Sequence, residues 1–281
     1  MACMNTVPQI SLVDGNSIPQ LGFGVFRIDP DDTERSVLEA LEVGYRHIDT
    51  ARIYGNEEGV GRAIAASGIP RDELFVTTKL WTDDLGAGKS QAALDASLER
   101  LGLDAVDLYL IHWPVPSTDR YLETWSEMTQ LRKNGRTRSI GVCNMTIEHL
   151  ERLMEVGEVP VVNQVELHPL MSQPQLRQFC RDNDIAIESW GPLAQGKGGL
   201  LELPELTSIA AAHGKSVAQV VLRWHLQLGN IVFPKTTRVV RMHENFELFD
   251  FELSVDEMAT IAALDRDESV SGAHPDTFGV E

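Results

Sequence analysis

Two periodicities alternate along this chain. Short apolar runs rich in Val, Ile and Leu are each followed by longer stretches whose apolar positions recur every three to four residues. The first kind reads as strands buried on both faces, the second as amphipathic helices. Strands are expected at 45–50, 74–80, 106–113, 139–144, 161–167, 186–190 and 231–236, with a weak eighth at 249–253. Helices are expected at 57–66, 90–101, 121–133, 147–156, 173–183, 204–212, 217–227 and 240–246. An earlier helix, capped by Asp31 or Asp32, runs to Leu41 and stops at Gly44. Ser254 with Glu257 forms a capping box for a final helix through Leu264. Ahead of all these, Asp14-Gly15-Asn16 between short apolar runs signals a β-hairpin.

Strand–helix alternation repeated about eight times predicts a parallel sheet. With 281 residues and no low-complexity linker, it favours one domain over residues 1–281, a (β/α)8 TIM barrel preceded by the hairpin. Such a barrel gathers its chemistry on the loops after the C-terminal ends of its strands. The residues at those ends are Asp49, Lys79, His112, Asn144, Gln164, Trp190 and Lys235. One polar strand end is ordinary. A succession of them on one rim is better explained by a single site.

Composition narrows the partners. The chain is 43% hydrophobic and 23% charged, as globular chains are, with a formal net charge of −18. It carries no basic stripe for nucleic acid, and an anionic membrane surface would repel it. A phosphate-bearing cofactor would need its own local Lys and Arg. The odd set Cys3, Cys143 and Cys180, without metal-ligand spacing, reads as reduced thiols of a cytoplasmic protein. No leader-like basic and apolar N-terminus occurs, nor any apolar run of the ~20 residues that a membrane helix needs.

Several familiar motifs are missing. No G-x-G-x-x-G follows the first strand, so a dinucleotide would have to be bound without a Rossmann fold. Residues 191–198, GPLAQGKG, lack the closing Ser or Thr of a P-loop and read as a flexible glycine-rich flap over a ligand. The histidines have no metal spacing, so no metal is expected, and no G-x-S-x-G elbow occurs.

Asp49, Tyr54, Lys79 and His112 can form a proton-donating site. An unperturbed tyrosine, with a pKa near 10, is a poor acid near neutrality. A lysine ammonium beside it favours the phenolate and lowers that value. Asp49 would keep the lysine charged and aimed, and His112 would hydrogen-bond the substrate oxygen. The same spacing is served equally by a buried Asp49–Lys79 ion pair with Tyr54 packed beside it.

At these residues the chain resembles the aldo-keto reductases. The resemblance rests on DTARIYGNE at 49–57, TKLW at 78–81, LIHWP at 110–114, SIGVCN at 139–144, NQVELHP at 163–169 and FPKT at 233–236. IPQLGFGVF, ESWGPL and AHGKSVAQVVLRWHLQ resemble the bacterial 2,5-diketo-D-gluconate reductase group. The resemblance implies a barrel that uses NADPH/NADP+ to reduce aldehydes, ketones or dicarbonyls, including a keto-sugar acid. Tyr54 would be the acid, Lys79 and Asp49 its tuning pair, and His112 the carbonyl-orienting group. Asn144 and Gln164 would hold the nicotinamide carboxamide and Trp190 would stack on the ring. Lys235, Thr236, Arg238 and Arg241 would grip the 2′-phosphate, with Glu244 and Asn245 on the adenosine. Gly24, Val25, Gly191, Leu193 and Gln195 complete the implied cofactor contacts. Phe23, Trp81 and Trp113 would wall the substrate pocket.

The chain departs from the family's usual serine at Cys143, and a thiol is the weaker donor. His112 in place of the glutamate of double-bond-reducing relatives argues for carbonyl substrates. The resemblance also leaves open alcohol oxidation, or a non-catalytic role of the kind some relatives have. It implies a monomer.

Overall fold

The structure is a computed structural model that describes residues 7–279. A hairpin, β1 (Gln9–Ser11) and β2 (Ser17–Pro19), pairs antiparallel in front of the barrel. Gly15 takes the left-handed conformation in its turn, with φ 88°, and Asp14 accepts from the Asn16 N–H. Eight parallel strands follow: β3 (Phe23–Gly24), β4 (His47–Asp49), β5 (Phe75–Leu80), β6 (Val106–Ile111), β7 (Thr137–Cys143), β8 (Val162–Glu166), β9 (Ala186–Trp190) and β10 (Ile231–Val232). They pair in sequence order from β3 to β10. The ring closes where Leu21 bridges Val232 in parallel, with Gly22 N–H on Val232 O at 2.8 Å and Val232 N–H on Gln20 O at 3.0 Å.

One expected strand is wrong and one was not foreseen. Residues 249–253 form no strand; Phe249 and Phe251 instead pack, partly buried, against the outer core. The remaining stave is β3, the first of the ring. At two residues it is too short for any periodicity to announce it.

The helices lie close to their expected bounds: α1 (Pro30–Val43), α2 (Glu57–Ala66), α3 (Ser90–Leu101), α4 (Arg120–Lys133), α5 (Ile147–Val156), α6 (Pro174–Asp182), α7 (Pro204–His213), α8 (Val217–Gln227), α9 (Val239–Phe246) and α10 (Val255–Ala262). The cap of α1 is Asp29, with Pro30 in the first turn, not Asp31 or Asp32. The Ser254–Glu257 capping box forms as expected. None of these helices is long and apolar enough to cross a membrane.

Alternation along each strand builds two cores. In β6, Tyr109 and Ile111 face the helices, and Leu108 and Leu110 face the barrel axis. The axial core is completed by Phe75, Val161, Val162, Cys143 and Ile231, and is closed at the bottom by Leu12 and Ile18 of the hairpin. With its floor plugged by aliphatic side chains, the barrel keeps its polar groups for the other end.

Gly24 shows how tightly the ring is drawn there. A Cβ on this residue would lie 2.7 Å from the Phe233 carbonyl oxygen. Gly24→Ala should therefore push β3 away from the segment that carries Lys235, at a cost of about 1–3 kcal/mol. Urea unfolding of the two proteins measures this, and equal midpoints would contradict it.

Candidate active site

The strand register stacks a polar layer on the aliphatic one. Cys143 pairs with Gln164, Gln164 with Glu188, and Glu188 with Ile231, while Asp49 pairs with Thr77 two residues before Lys79. The inward positions at the C-terminal ends are therefore Asp49, Lys79, Cys143, Gln164 and Glu188. Lys79 is fully buried and Asp49 is 3% exposed.

Lys79 uses its ammonium as a three-way tie. Nζ donates to Asp49 Oδ1 and Oδ2 at 2.8 and 2.7 Å and to Thr50 O at 2.8 Å, and it lies 3.5 Å from the Tyr54 hydroxyl. Burial disfavours the ammonium, but Asp49 and then Tyr54 outweigh it, so the lysine pKa lies above its ordinary value. The ion pair and the tyrosine contact coexist: the two uses left open by the spacing are one structure.

Tyr54 is carried by a short turn between β4 and α2. Asn56 braces that turn, accepting from Thr50 Oγ1 at 3.0 Å and donating to Val25 O at 2.9 Å. The direction of the Tyr54 pKa reverses the expectation. Burial raises it more than Lys79 lowers it. Tyr54 is thus a fully protonated phenol at neutral pH, a loaded donor whose phenolate would form beside a fixed cation.

His112 closes the group. Its ring lies edge-on to Tyr54, 5.8 Å between centroids, and edge-on to Trp81 at 5.1 Å. Burial and then Lys79 hold its pKa well below the ordinary histidine value, so the ring is neutral. Nδ1 is buried without a partner among the described residues. Asn144 follows β7 in the left-handed conformation, φ 58°, which asparagine tolerates. It donates to His112 O at 3.0 Å and accepts from Trp190 Nε1 at 2.8 Å. His112, Asn144 and Trp190 therefore share one hydrogen-bond chain across three strand ends.

Other expected residues fall differently. Phe23 is fully buried and packs edge-on against Tyr45, in the outer core rather than the pocket. The aromatic beside Tyr54 is Phe26, 43% exposed, with ring centroids 4.9 Å apart. Side chains alternate across a strand, so the FGVF segment cannot present both phenylalanines to one pocket unless its path turns. Val25 offers little to a cofactor: its side chain is buried, its N–H goes to Asp49 O, and its carbonyl accepts from Asn56. Gly24 is glycine because Phe233 leaves no room. Trp113 stacks on Phe278 at 4.0 Å and 9°, and Trp81 meets the same ring edge-on. Phe278 had no periodic signal to mark it in the sequence.

A second patch borders the rim. Lys235, Arg238 and Arg241 are exposed, and none makes an ion pair among the described residues. Thr236 is buried and accepts from the Arg238 N–H. Tyr45 pins α9, with its hydroxyl on Met242 O at 3.1 Å and its ring against Phe246; this helix carries Arg241, Glu244 and Asn245. Three unpaired cations on a chain of net charge −18 fit an anionic group. Gly191, Leu193 and Gln195 stand in the turn after β9, where Gly191, Ala194 and Gln195 all have positive φ. That turn is held by the Lys197 ammonium on Val270 O, 3.1 Å away.

Cys143 and Cys180 are buried and unbridged, and Cys3 lies outside the described residues. Burial holds the Cys143 thiol well above its ordinary pKa. Its side chain belongs to the axial core. Two open cavities of about 500 Å³ lie at the barrel's other end, sharing Arg138. Their arginines are paired, Arg132 with Asp14 and Glu158 and both Arg71 and Arg138 with Asp107, while Lys133 makes no ion pair among the described residues.

Sequence reading missed Glu188. It is fully buried and accepts from Gln164 Nε2 at 2.9 Å, while the same nitrogen donates to Asp49 Oδ1 at 3.0 Å. Burial, reinforced by Asp49, raises its pKa from 4.5 to about 8. Folding therefore binds a proton between these values, and stability falls as pH rises from 4.5 through about 8. Glu188→Gln keeps the acceptor and removes the ionisation. The variant should match the parent in melting temperature at acid pH and exceed it progressively toward pH 8. Parallel melting curves across pH would contradict the shift.

Known proteins carry the same frame. The model of the Aldo/keto reductase family matches residues 20–266. The methylglyoxal reductase DkgA of Yersinia pestis is 50% identical over 277 residues, 98% of this chain and 99% of that protein. The protein of the same name from Escherichia coli (strain K12) is 49% identical over 271 residues, 96% and 98% of the two chains. A Gox0644 variant solved in complex with NADPH superposes with a TM-score of 0.92 at 46% identity, over 96% of this chain and 98% of that one. The barrel of this chain, the buried Lys79–Asp49 pair beside Tyr54 and the collinear family match together make the chain a member of the aldo/keto reductase family.

Proposed function

We propose that this chain reduces small aldehydes and dicarbonyls, methylglyoxal among them, to alcohols with NADPH, and that it works as a monomer. The observation that carries this reading is the Lys79 tie to Asp49, Thr50 and Tyr54. The relatives named methylglyoxal reductase, about half identical and matched end to end, support the substrate class. The NADPH complex of the similar Gox0644 variant supports the cofactor.

The residues present fit that cofactor. Lys235, Arg238 and Arg241 would hold the 2′-phosphate, and the planar arginine forks can each bond two of its oxygens. Asn144, Gln164 and Trp190 would hold the nicotinamide end. When bound, NADPH supplies the hydride that the carbonyl carbon receives. As that carbon is reduced, its oxygen gains negative charge and takes the proton of the Tyr54 hydroxyl. The phenolate left behind is stabilised by the adjacent ammonium of Lys79, and a proton from water restores the phenol. Neutral His112 donates one N–H toward the same oxygen and fixes the carbonyl's orientation. Asp49 keeps Lys79 charged throughout and does not transfer a proton itself. Trp81, Trp113, Phe26 and Phe278 surround the site with rings, which favours a small, flat or hydrophobic carbonyl and excludes water.

Two measurements test this. Tyr54→Phe should lower kcat for methylglyoxal by roughly 10²–10⁴-fold and leave the NADPH Kd nearly unchanged; retained turnover would overturn the assignment of the acid. Arg241→Ala should weaken NADPH by roughly tenfold or more, the scale of a lost charge-assisted bond, and leave NADH almost unaffected. Equal losses for the two cofactors would move the phosphate site elsewhere.

A further inference from the structure

Another buried carboxylate stands one layer above Asp49, Gln164 and Glu188. Glu166 closes β8 in register with Trp190, and it is 4% exposed. Its donors come mainly from the far end of the chain. Oε1 accepts from the Val270 N–H at 2.8 Å and lies 3.2 Å from His168 Nε2. Oε2 accepts from the Ser269 and Ser271 hydroxyls at 2.8 and 2.7 Å. No Lys or Arg pairs with it among the described residues. Burial disfavours its charge, but the bonds from His168, Ser271, Ser269 and Val270 outweigh that and hold its pKa below the ordinary value. A carboxylate satisfied almost wholly by one short tail segment acts as a clasp for that segment.

The clasped segment touches both halves of the site. Val270 O receives the Lys197 ammonium from the turn after β9, and a Cβ added at Gly198 of that turn would come within 3.8 Å of Val270 Cγ1. A few residues later in the same tail, Phe278 stacks on Trp113 and meets Trp81, which in turn meets His112. The approach to the clasp is stitched to the loop after β8. Asp265 accepts from Ser172, and Leu170 O accepts from the Arg266 and Glu268 N–H groups.

We propose that Glu166 is a positioning residue that sets the substrate wall and the cofactor turn together. Its carboxylate fixes residues 269–271, and through them both the Phe278 ring over Trp113 and the Lys197 anchor on Val270. This inference rests on the reductase reading for its kinetic consequences but not for its geometry. It predicts a coupling: loosening one bond network changes recognition of bulky substrates and release of the cofactor at once, with little effect on the chemical step. Interactions that act equally on bound substrate and transition state alter KM and leave kcat alone.

The test compares the parent with Glu166→Ala, Glu166→Gln and the double variant Ser269→Ala/Ser271→Ala. Hydrogen exchange of the full chain is read at 269–279 and at the barrel strands. In Glu166→Ala, exchange across 269–279 should rise about tenfold or more, the scale of losing a charged acceptor, while the strands stay protected. The KM for an aromatic aldehyde should rise by about the same factor, and NADPH should dissociate faster. The KM for methylglyoxal should move much less, and kcat should stay within about twofold. Glu166→Gln retains one acceptor oxygen and should recover part of each effect. If Glu166→Ala does not fold, the serine double variant removes two of the donors without touching β8 and should move the same readouts. Unchanged protection of 269–271, or equal losses in kcat for both substrates, would overturn the clasp. Failure of the parent itself to reduce either carbonyl would instead overturn the reductase reading, while the exchange data would still decide the clasp.

Discussion

The Asp49–Lys79 pair is the constraint to which the rest of the structure is fitted. An ammonium with no solvent exposure is tolerated only if its charge is matched and its donors are used. Asp49 and Thr50 O meet that need, and the remaining direction of Nζ is the one that faces Tyr54. The pair thus satisfies its own burial and creates a site for a phenolate in the same geometry. Removing either partner would strand a charge in the barrel. Under the proposed mechanism the pair is structural and catalytic at once, and the two descriptions cannot be separated by removing one residue.

The neighbours of this pair are arranged so that few other charges share the well. His112 is neutral because burial and Lys79 disfavour its cation. Cys143 is a thiol, and Glu188 shares an amide nitrogen with Asp49 while holding its proton up to about pH 8. The aliphatic core and the hairpin beneath exclude water from below. Tyr54, half-buried above this layer and with its pKa raised by burial, would be a reluctant acid until negative charge develops on a neighbouring oxygen. That timing is useful in a reaction where the proton is wanted only once the oxygen has become basic.

Outside the well, the logic of charge is the opposite. The chain is strongly acidic overall, yet Lys235, Arg238 and Arg241 are left unpaired among the described residues, along one ridge beside α9. Tyr45 holds that helix to the barrel, so the ridge keeps its place relative to β4 and hence to Asp49. The tail, the turn after β9 and the loop after β8 then meet above the rim through Glu166, Lys197 and Phe278.

The sequence by itself determined most of the barrel and the four residues of the proposed proton-donating site. Strand and helix periods are local, and a polar residue at the end of an apolar run needs no partner to be noticed. Asp49, Lys79 and His112 are legible that way and Tyr54 from its place in the loop just past Asp49, and the family motifs extend the reading to the cationic ridge. Tertiary structure decided what depends on closure and depth. It made Phe23–Gly24 the eighth stave in place of 249–253, because a two-residue strand is defined only by the neighbours that complete the ring. It turned Phe23 outward and brought Phe26 to Tyr54. Depth also reversed the direction of the Tyr54 pKa, since desolvation grows with burial and leaves no mark on residue order. Glu188 sat unnoticed within ESW, one layer beneath the visible rim. Glu166 and Phe278 are more than 100 residues apart in sequence, and only the folded chain brings the tail they share across the mouth of the site.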